Sequence, residues 1–206
     1  MSTQGLLIVL SGPSGAGKGT VCKALLKECP QIQYSISATT REPRTGEKEG
    51  KSYFFTEKKQ FESKIESNQF LEWAKVYDNY YGTPKDFVIK NLKKGKDVIL
   101  EIDVNGAKQV LKNFPDGTFI FLLPPSLEEL SNRINKRGTD SQEVIKKRLA
   151  SAEGEISEMK NYNYAVLNDQ VENAVEKIKA IIIAEKCKID KIDVIKEDFK
   201  NDLPID

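Results

Sequence analysis

The run Gly12-Pro13-Ser14-Gly15-Ala16-Gly17-Lys18-Gly19-Thr20 sets a lysine and a hydroxyl at the end of a glycine-rich stretch. Such a stretch can aim several backbone N–H groups at one anion, because glycine accepts positive φ and lets phosphate oxygens touch the main chain. Lys18 is within reach of β- and γ-phosphates, and the Thr20 hydroxyl is placed to hold Mg²⁺ or a phosphate oxygen. The residue after Lys18 is Gly19, so the usual Ser/Thr is displaced by one position. An ordinary glycine-rich strand-to-helix turn has no need of the lysine and hydroxyl together. The loop specifies a nucleoside triphosphate and leaves the reaction open.

Other groups able to do chemistry follow. Arg41 and Arg44 lie in a polar stretch with Glu42 and Glu47. Each can grip phosphate oxygens bidentately, or simply pair with those acids on a solvated surface. Arg133 and Arg137 are four apart and share a helix face, with Arg148 on the next helix and Glu129 near enough to pair with Arg133. Glu101 and Asp103 close an apolar run, the place where an acid opposite a phosphate loop commonly orders Mg²⁺ through water. Glu72 stands between Leu71 and Trp73, where period-two alternation fits an exposed strand residue as well as a ligand. The chain has no histidine, which excludes histidine base catalysis and histidine metal ligation.

These groups need elements to carry them. Leu6–Leu10 reads as a buried strand feeding the loop, and Val21–Glu28 as the helix after it. Gln33–Ile36 is a short strand candidate, and Ser37–Lys51 reads as a loop. Tyr53–Phe55 is strand-like, Glu57–Asn68 has helical periodicity, Phe70–Val76 is a strand candidate, and Asn79–Gly82 is turn-like. Pro84 starts a helix that Gly95 ends. Asp97–Ile102 and Thr118–Leu123 are apolar strands with a helix between them, around Val104–Leu111. Ser126–Glu129 is a capping box, Gly138–Asp140 interrupts that helix, and a further helix runs to about Met159. Tyr164–Leu167 and Val171–Lys186 are the last strand and helix. Strands alternating with helices, the central strands apolar throughout, predict an α/β fold: a three-layer parallel sheet with helices on both faces. The segment after Cys187 is expected to be loosely ordered.

Composition narrows the class. A chain of 206 residues suits one α/β domain with a sizeable core. Net charge is +1, so no global field draws nucleic acid or an acidic membrane. The three cysteines, Cys22, Cys29 and Cys187, lack metal spacing and favour a reducing, cytoplasmic setting over a disulfide framework. No stretch approaches a membrane span, and Met1–Gln4 is too short for a signal peptide. Oligomeric state is left open between monomer and homo-oligomer.

From Thr39 the pattern becomes specific. The segments Thr39-Thr40-Arg41-Glu42-Pro43-Arg44-Thr45-Gly46-Glu47, Tyr53-Phe54-Phe55, Phe70-Leu71-Glu72-Trp73, Asn79-Tyr80-Tyr81-Gly82-Thr83, Leu100-Glu101-Ile102-Asp103, Arg137-Gly138-Thr139 and Val166-Leu167-Asn168-Asp169 follow the phosphate loop in order. Together they resemble guanylate kinases, P-loop nucleoside monophosphate kinases, over about residues 5–186.

The resemblance implies ATP-dependent phosphorylation of GMP, and of dGMP, with Mg²⁺. It implies one domain over 4–187, with a mobile GMP-binding arm at about 37–83 and a helical lid at about 126–157, followed by a tail, 188–206. It puts Ser37, Arg41, Arg44, Tyr53, Glu72, Tyr81, Thr83 and Asp103 on GMP. It puts Gly12–Thr20 and Asn168 on ATP, Thr20 and (through water) Glu101 on the metal, and Lys18, Arg41, Arg133, Arg137 and Arg148 around the transferring phosphoryl group. Guanine presents N1–H and N2–H₂ donors, so acceptor-only carboxylates at Glu72 and Asp103 suit it and oppose adenine. The family more often has Asp where this chain has Glu101, and often Ser where it has Thr83. Residue-level alternatives stand beside these roles: Tyr53 and Tyr81 also suit aromatic packing, and Asn168 also suits a cap for the helix that begins near Asp169 or Val171. Two other classes were weighed. A scaffold-type binding module is disfavoured by the intact phosphate loop and by the lack of a second domain here. Another P-loop phosphotransferase such as an adenylate kinase is disfavoured by the acceptors Glu72 and Asp103.

Overall fold

The computed structural model describes residues 4–76, 78–136, 152 and 154–189. Arg137, Arg148, most of the expected lid and the tail beyond 189 lie outside the described residues.

The main sheet is built on β1 (Leu7–Ser11), a run in which every residue is buried. Its neighbours are β7 (Val98–Glu101) and β8 (Thr118–Leu123), and the order is completed by β2 (Gln33–Tyr34) on one side and β9 (Tyr164–Leu167) on the other. All four pairings are parallel, with Ile8 opposite both Ile99 and Thr118. Alternation along β1 sends Ile8 and Leu10 to one face, against α1 (Lys18–Glu28) and the closing helix α6 (Val171–Lys186). Leu7 and Val9 go to the other, against α3 (Lys85–Leu92) and α4 (Val104–Asn113). Both faces are covered, which is why the central strands are apolar without interruption. The expected three-layer α/β architecture is present.

A second sheet lies outside this core, in the order β4 (Phe54–Phe55), β3 (Ala38–Thr39), β6 (Asn79–Pro84), β5 (Phe70–Val76). Here two expectations are corrected. Asn79–Gly82 is not a turn but the start of β6, antiparallel to both β5 and β3. The stretch Ser37–Lys51 is not wholly loop, since Ala38–Thr39 pairs with β4 and β6. Asn and Gly read locally as turn formers, but cross-strand pairing overrides that preference. Gly82 is used for close approach of Phe61 and the Glu72 carbonyl. Helix α2 (Lys58–Glu66) packs one aromatic on this sheet: Phe61 stacks on Phe70 at 4.3 Å and on Tyr80 at 5.3 Å.

The last described helix before the gap, α5 (Leu127–Lys136), starts with half of the expected capping box. The Glu129 N–H donates to Ser126 Oγ at 3.0 Å, while the Glu129 carboxylate turns to Arg133 instead of returning to the cap. Among the described residues no helix is long and apolar enough to cross a membrane.

Candidate active site

The loop between β1 and α1 carries its glycines where the backbone requires them. Gly17, the residue before α1, has φ of +93°, and a methyl there would come within 2.5 Å of the Asn168 side-chain nitrogen. The Lys18 ammonium curls back and donates to the Gly12 and Pro13 carbonyls at 2.6 and 3.1 Å, and so lies over the loop. The Ser14 N–H donates to Glu155 Oε2 at 3.2 Å, so this loop amide already faces an anion. Thr20 is exposed on the first turn of α1.

Asn168 sits at the end of β9 and is buried. Its side-chain amide donates to the Ala16 carbonyl at 2.7 Å, and its backbone carbonyl accepts from Arg133 Nη2 at 3.3 Å. It does not cap α6; Gln170 precedes that helix and makes no side-chain cap. Arg133 is thus held beside Gly17, with a second bond to Glu129 Oε1 at 2.9 Å. The i,i+4 pairing weighed from sequence exists, and it points the guanidinium at the loop.

Glu101 ends β7 below the same loop. A methyl at Gly19 would stand 3.2 Å from its Oε1, so the carboxylate lies against the first turn of α1. Burial pushes the Glu101 carboxyl above its ordinary value, while Lys18 and Lys23 and a bond from the Tyr34 hydroxyl pull it back. The same burial, with Glu101 nearby, pushes the Cys22 thiol up to about 12, leaving it an inert packing group.

A cleft of about 280 Å³ opens between the second sheet and the end of β7. Ser37, Tyr53, Glu72, Tyr81, Glu101 and Asp103 line it. Glu72 is aimed there by an irregularity in β5: pairing runs Phe70 with Pro84, then Glu72 with Thr83, and Leu71 drops into the main core. The exposed edge of β5 is met by α4 side chains. Gln109 bonds the Trp73 N–H and carbonyl at 3.1 and 2.9 Å, and Asn113 bonds the Leu71 carbonyl at 2.9 Å. Glu72 lies between these two anchors and runs up to Gly106 of α4, where a methyl would meet Oε2 at 2.9 Å and push the carboxylate aside.

The Thr83 hydroxyl donates to Glu72 Oε1 at 2.6 Å. Asp103 caps α4, its Oδ1 accepting from the Gly106 N–H at 2.7 Å. Burial, with Asp103 adding and the Thr83 bond opposing, pushes the Glu72 carboxyl up to about 7. The exposed-strand alternative for Glu72 does not hold; the side chain is 7% exposed.

At the mouth of the cleft, the Arg41 guanidinium lies 5.5 Å from the Tyr53 ring centre. It donates to the Glu42 carbonyl at 2.7 Å and to Glu47 Oε1 at 2.9 Å. Tyr53 and Tyr81 meet edge to face at 6.0 Å. Arg44 is exposed on the rim. In sequence Glu47 reads as a surface partner for the arginines; the signals that set it apart are its place at the end of the Thr39–Glu47 segment and its spacing of six residues from Arg41.

A loop of this kind between a parallel strand and a helix, with acids at the end of the neighbouring strand, defines a P-loop phosphotransferase. The guanylate kinase family model matches residues 4–185. The chain is 63% identical over 188 residues to a guanylate kinase of Caldanaerobacter subterraneus subsp. tengcongensis, covering 91% of each chain. It is 61% identical to one of Clostridium tetani over 92% of this chain and 90% of that one. Its structure is similar to the crystal structure of guanylate kinase from Anaplasma phagocytophilum, with a TM-score of 0.78 and 32% identity over 99% and 98% of the two chains. The chain belongs to the guanylate kinase family.

Proposed function

We propose that the cleft takes the guanine of GMP, that the arm takes its phosphate, and that Gly12–Thr20 takes the triphosphate of ATP. The enzyme is a kinase that transfers the γ-phosphoryl group of ATP to GMP, and to dGMP, releasing ADP. The observation that carries the site assignment is the pair Glu72 and Asp103, two acceptors held in one cleft across from the phosphate loop. They match the N1–H and N2–H₂ donors of guanine and leave an unpaired carboxylate against adenine. Ser37 and Thr83 support that edge, and Arg41, Arg44, Tyr53 and Tyr81 hold the phosphate.

A GMP phosphate oxygen is already a nucleophile at neutral pH, so no general base is needed. It attacks the γ-phosphorus in line; the new O–P bond forms as the bond to the β–γ bridging oxygen breaks, and ADP departs with the electron pair. The chain's part is alignment and positive charge around the equatorial oxygens, supplied by Lys18, Arg41 and Arg133. Arg137 and Arg148 join them by family resemblance. Among the described residues no group of acids, cysteines or histidines is arranged to hold a metal alone. Hard oxygen donors at Thr20 and, through water, Glu101 fit Mg²⁺ that takes its other ligands from phosphate and solvent. When bound, Mg²⁺ neutralises charge on the phosphates. Asn168 belongs to the ATP side through the loop it touches. We divide the domain, 4–187, into a core, an arm at about 37–83 and a lid at about 126–157. The free cysteines and near-neutral charge support a cytoplasmic enzyme acting on small molecules.

Glu72→Gln tests the assignment. Loss of a charge-assisted bond should lower GMP kcat/KM by roughly ten- to a hundredfold. ATP affinity without GMP should hold, and AMP turnover should rise relative to GMP. A coupled assay of ADP release reads all three; an unchanged GMP-to-AMP ratio would mean that guanine is read elsewhere.

A further inference from the structure

We infer that Glu47 is a positioning residue for GMP: it orients Arg41 and shapes the Arg44 turn into a ready-made phosphate clamp. The inference rests on the reading that the arm holds the GMP phosphate. Both oxygens of the Glu47 carboxylate are committed. Oε1 accepts from Arg41 Nη2 at 2.9 Å, and Oε2 accepts from the Arg44 backbone N–H at 2.8 Å. The Glu47 N–H returns to the Arg44 carbonyl at 3.0 Å, so residues 44–47 close into a turn locked from both sides. One side chain therefore ties together the two arginines that face the substrate.

The other contacts of Arg41 agree with orientation rather than neutralisation. Its Nη1 is fixed by the Glu42 carbonyl at 2.7 Å, and its plane rests over the Tyr53 ring. A guanidinium has five N–H donors; the Tyr81 hydroxyl also bonds Arg41, and donors remain for a ligand. An arginine on an exposed polar loop would otherwise sample many rotamers and lose that freedom on binding. Arg41 and Glu47 are 14% and 22% exposed, so the pair is half-sheltered and not a freely solvated surface bridge. The opposite role, a carboxylate that competes with phosphate for Arg41, would not need the second bond to Arg44. That bond makes Glu47 part of the loop's own fold.

The test uses Glu47→Gln, which keeps the shape and removes the charge, beside Arg41→Ala and the double variant. GMP and guanosine binding are measured by calorimetry, and KM and kcat for GMP and ATP in the coupled assay. Glu47→Gln should weaken GMP about tenfold, mainly in KM, and leave guanosine and ATP within twofold. In the Arg41→Ala background the same change should cost little, because its effect runs through Arg41. Tighter GMP binding would make Glu47 a competitor and overturn the inference. So would equal losses for GMP and guanosine, or an undiminished effect without Arg41. If Arg41→Ala itself leaves the gap between GMP and guanosine intact, the arm reading fails; if it closes the gap and Glu47→Gln does nothing, only the role of Glu47 fails.

Discussion

The phosphate loop and the arm are built by opposite means. The loop offers backbone amides and one lysine, and it hangs from a strand buried along its whole length, with α1 and Asn168 bracing it. The arm offers side chains on short strands, held by a small core of Ala38, Phe61 and Phe70 and by three side-chain bonds from α4. A backbone site needs only a fixed turn. A side-chain site needs every rotamer placed, and so it can read a base and an edge as well as a charge. The division also separates risk: damage to the arm's core should cost acceptor binding and spare the donor site.

The largest effect should come from that core. Phe61→Ala removes the ring between Phe70 and Tyr80, at about 3–5 kcal/mol. Hydrogen exchange should rise in β5 and β6 while β1, β7 and β8 keep their protection, and triphosphate binding should survive loss of GMP binding. Equal loss of protection in both sheets would make the two regions one cooperative unit and end the comparison.

Lys18→Ala works on the other region. Turnover should fall roughly a hundredfold or more, as when one preorganised donor to a developing charge is removed. GMP affinity and melting temperature should hold, since the Lys18 ammonium lies over its own loop, on the Gly12 and Pro13 carbonyls, and not in the apolar core. Turnover within a few-fold of the parent would remove Lys18 from the mechanism.

The smallest effect sharpens the difference. Burial raises the Glu72 carboxyl from 4.5 to about 7, so its charged form opposes folding. That penalty is absent below 4.5 and grows as pH rises to about 7. In the proposed guanine site it is the charged form that accepts from the base. Acidification from pH 8 to pH 6 should therefore relieve the arm and raise KM for GMP by about tenfold. Glu72→Gln, which keeps only the titration of the substrate phosphate, is the control; the same slope in that variant would exclude Glu72 as its source. Triphosphate binding should lack this component.

The same contrast decides what was legible in the sequence. The loop is local, and its spacing alone marked the turn and the strand and helix around it. The main strands were legible because burial on both faces leaves no polar residue to confuse the pattern. The arm was harder. Asn79–Gly82 has the composition of a turn and becomes a strand only because β5 and β3 lie on either side. Glu72 faces the cleft because pairing slips at Leu71, which period-two counting cannot foresee. Glu47 looked like any surface acid until the fold turned its two oxygens to two different arginines. Asn168 had two readings from sequence, and its bond to Ala16 is a contact between distant parts of the chain that no local pattern contains.

That bond has a consequence for how the protein is made. Asn168 and Ala16 are 152 positions apart, and among the described residues β9 lies at the edge of the main sheet, beside β8. During synthesis the loop emerges early, and its brace follows roughly 8–30 s later at common elongation rates. For that interval the Ala16 carbonyl lacks its amide partner, and Arg133, made late in it, waits only the last part for the Asn168 backbone carbonyl. The loop's long-range brace is therefore added with β9, the last strand among the described residues, after most of the chain has been made.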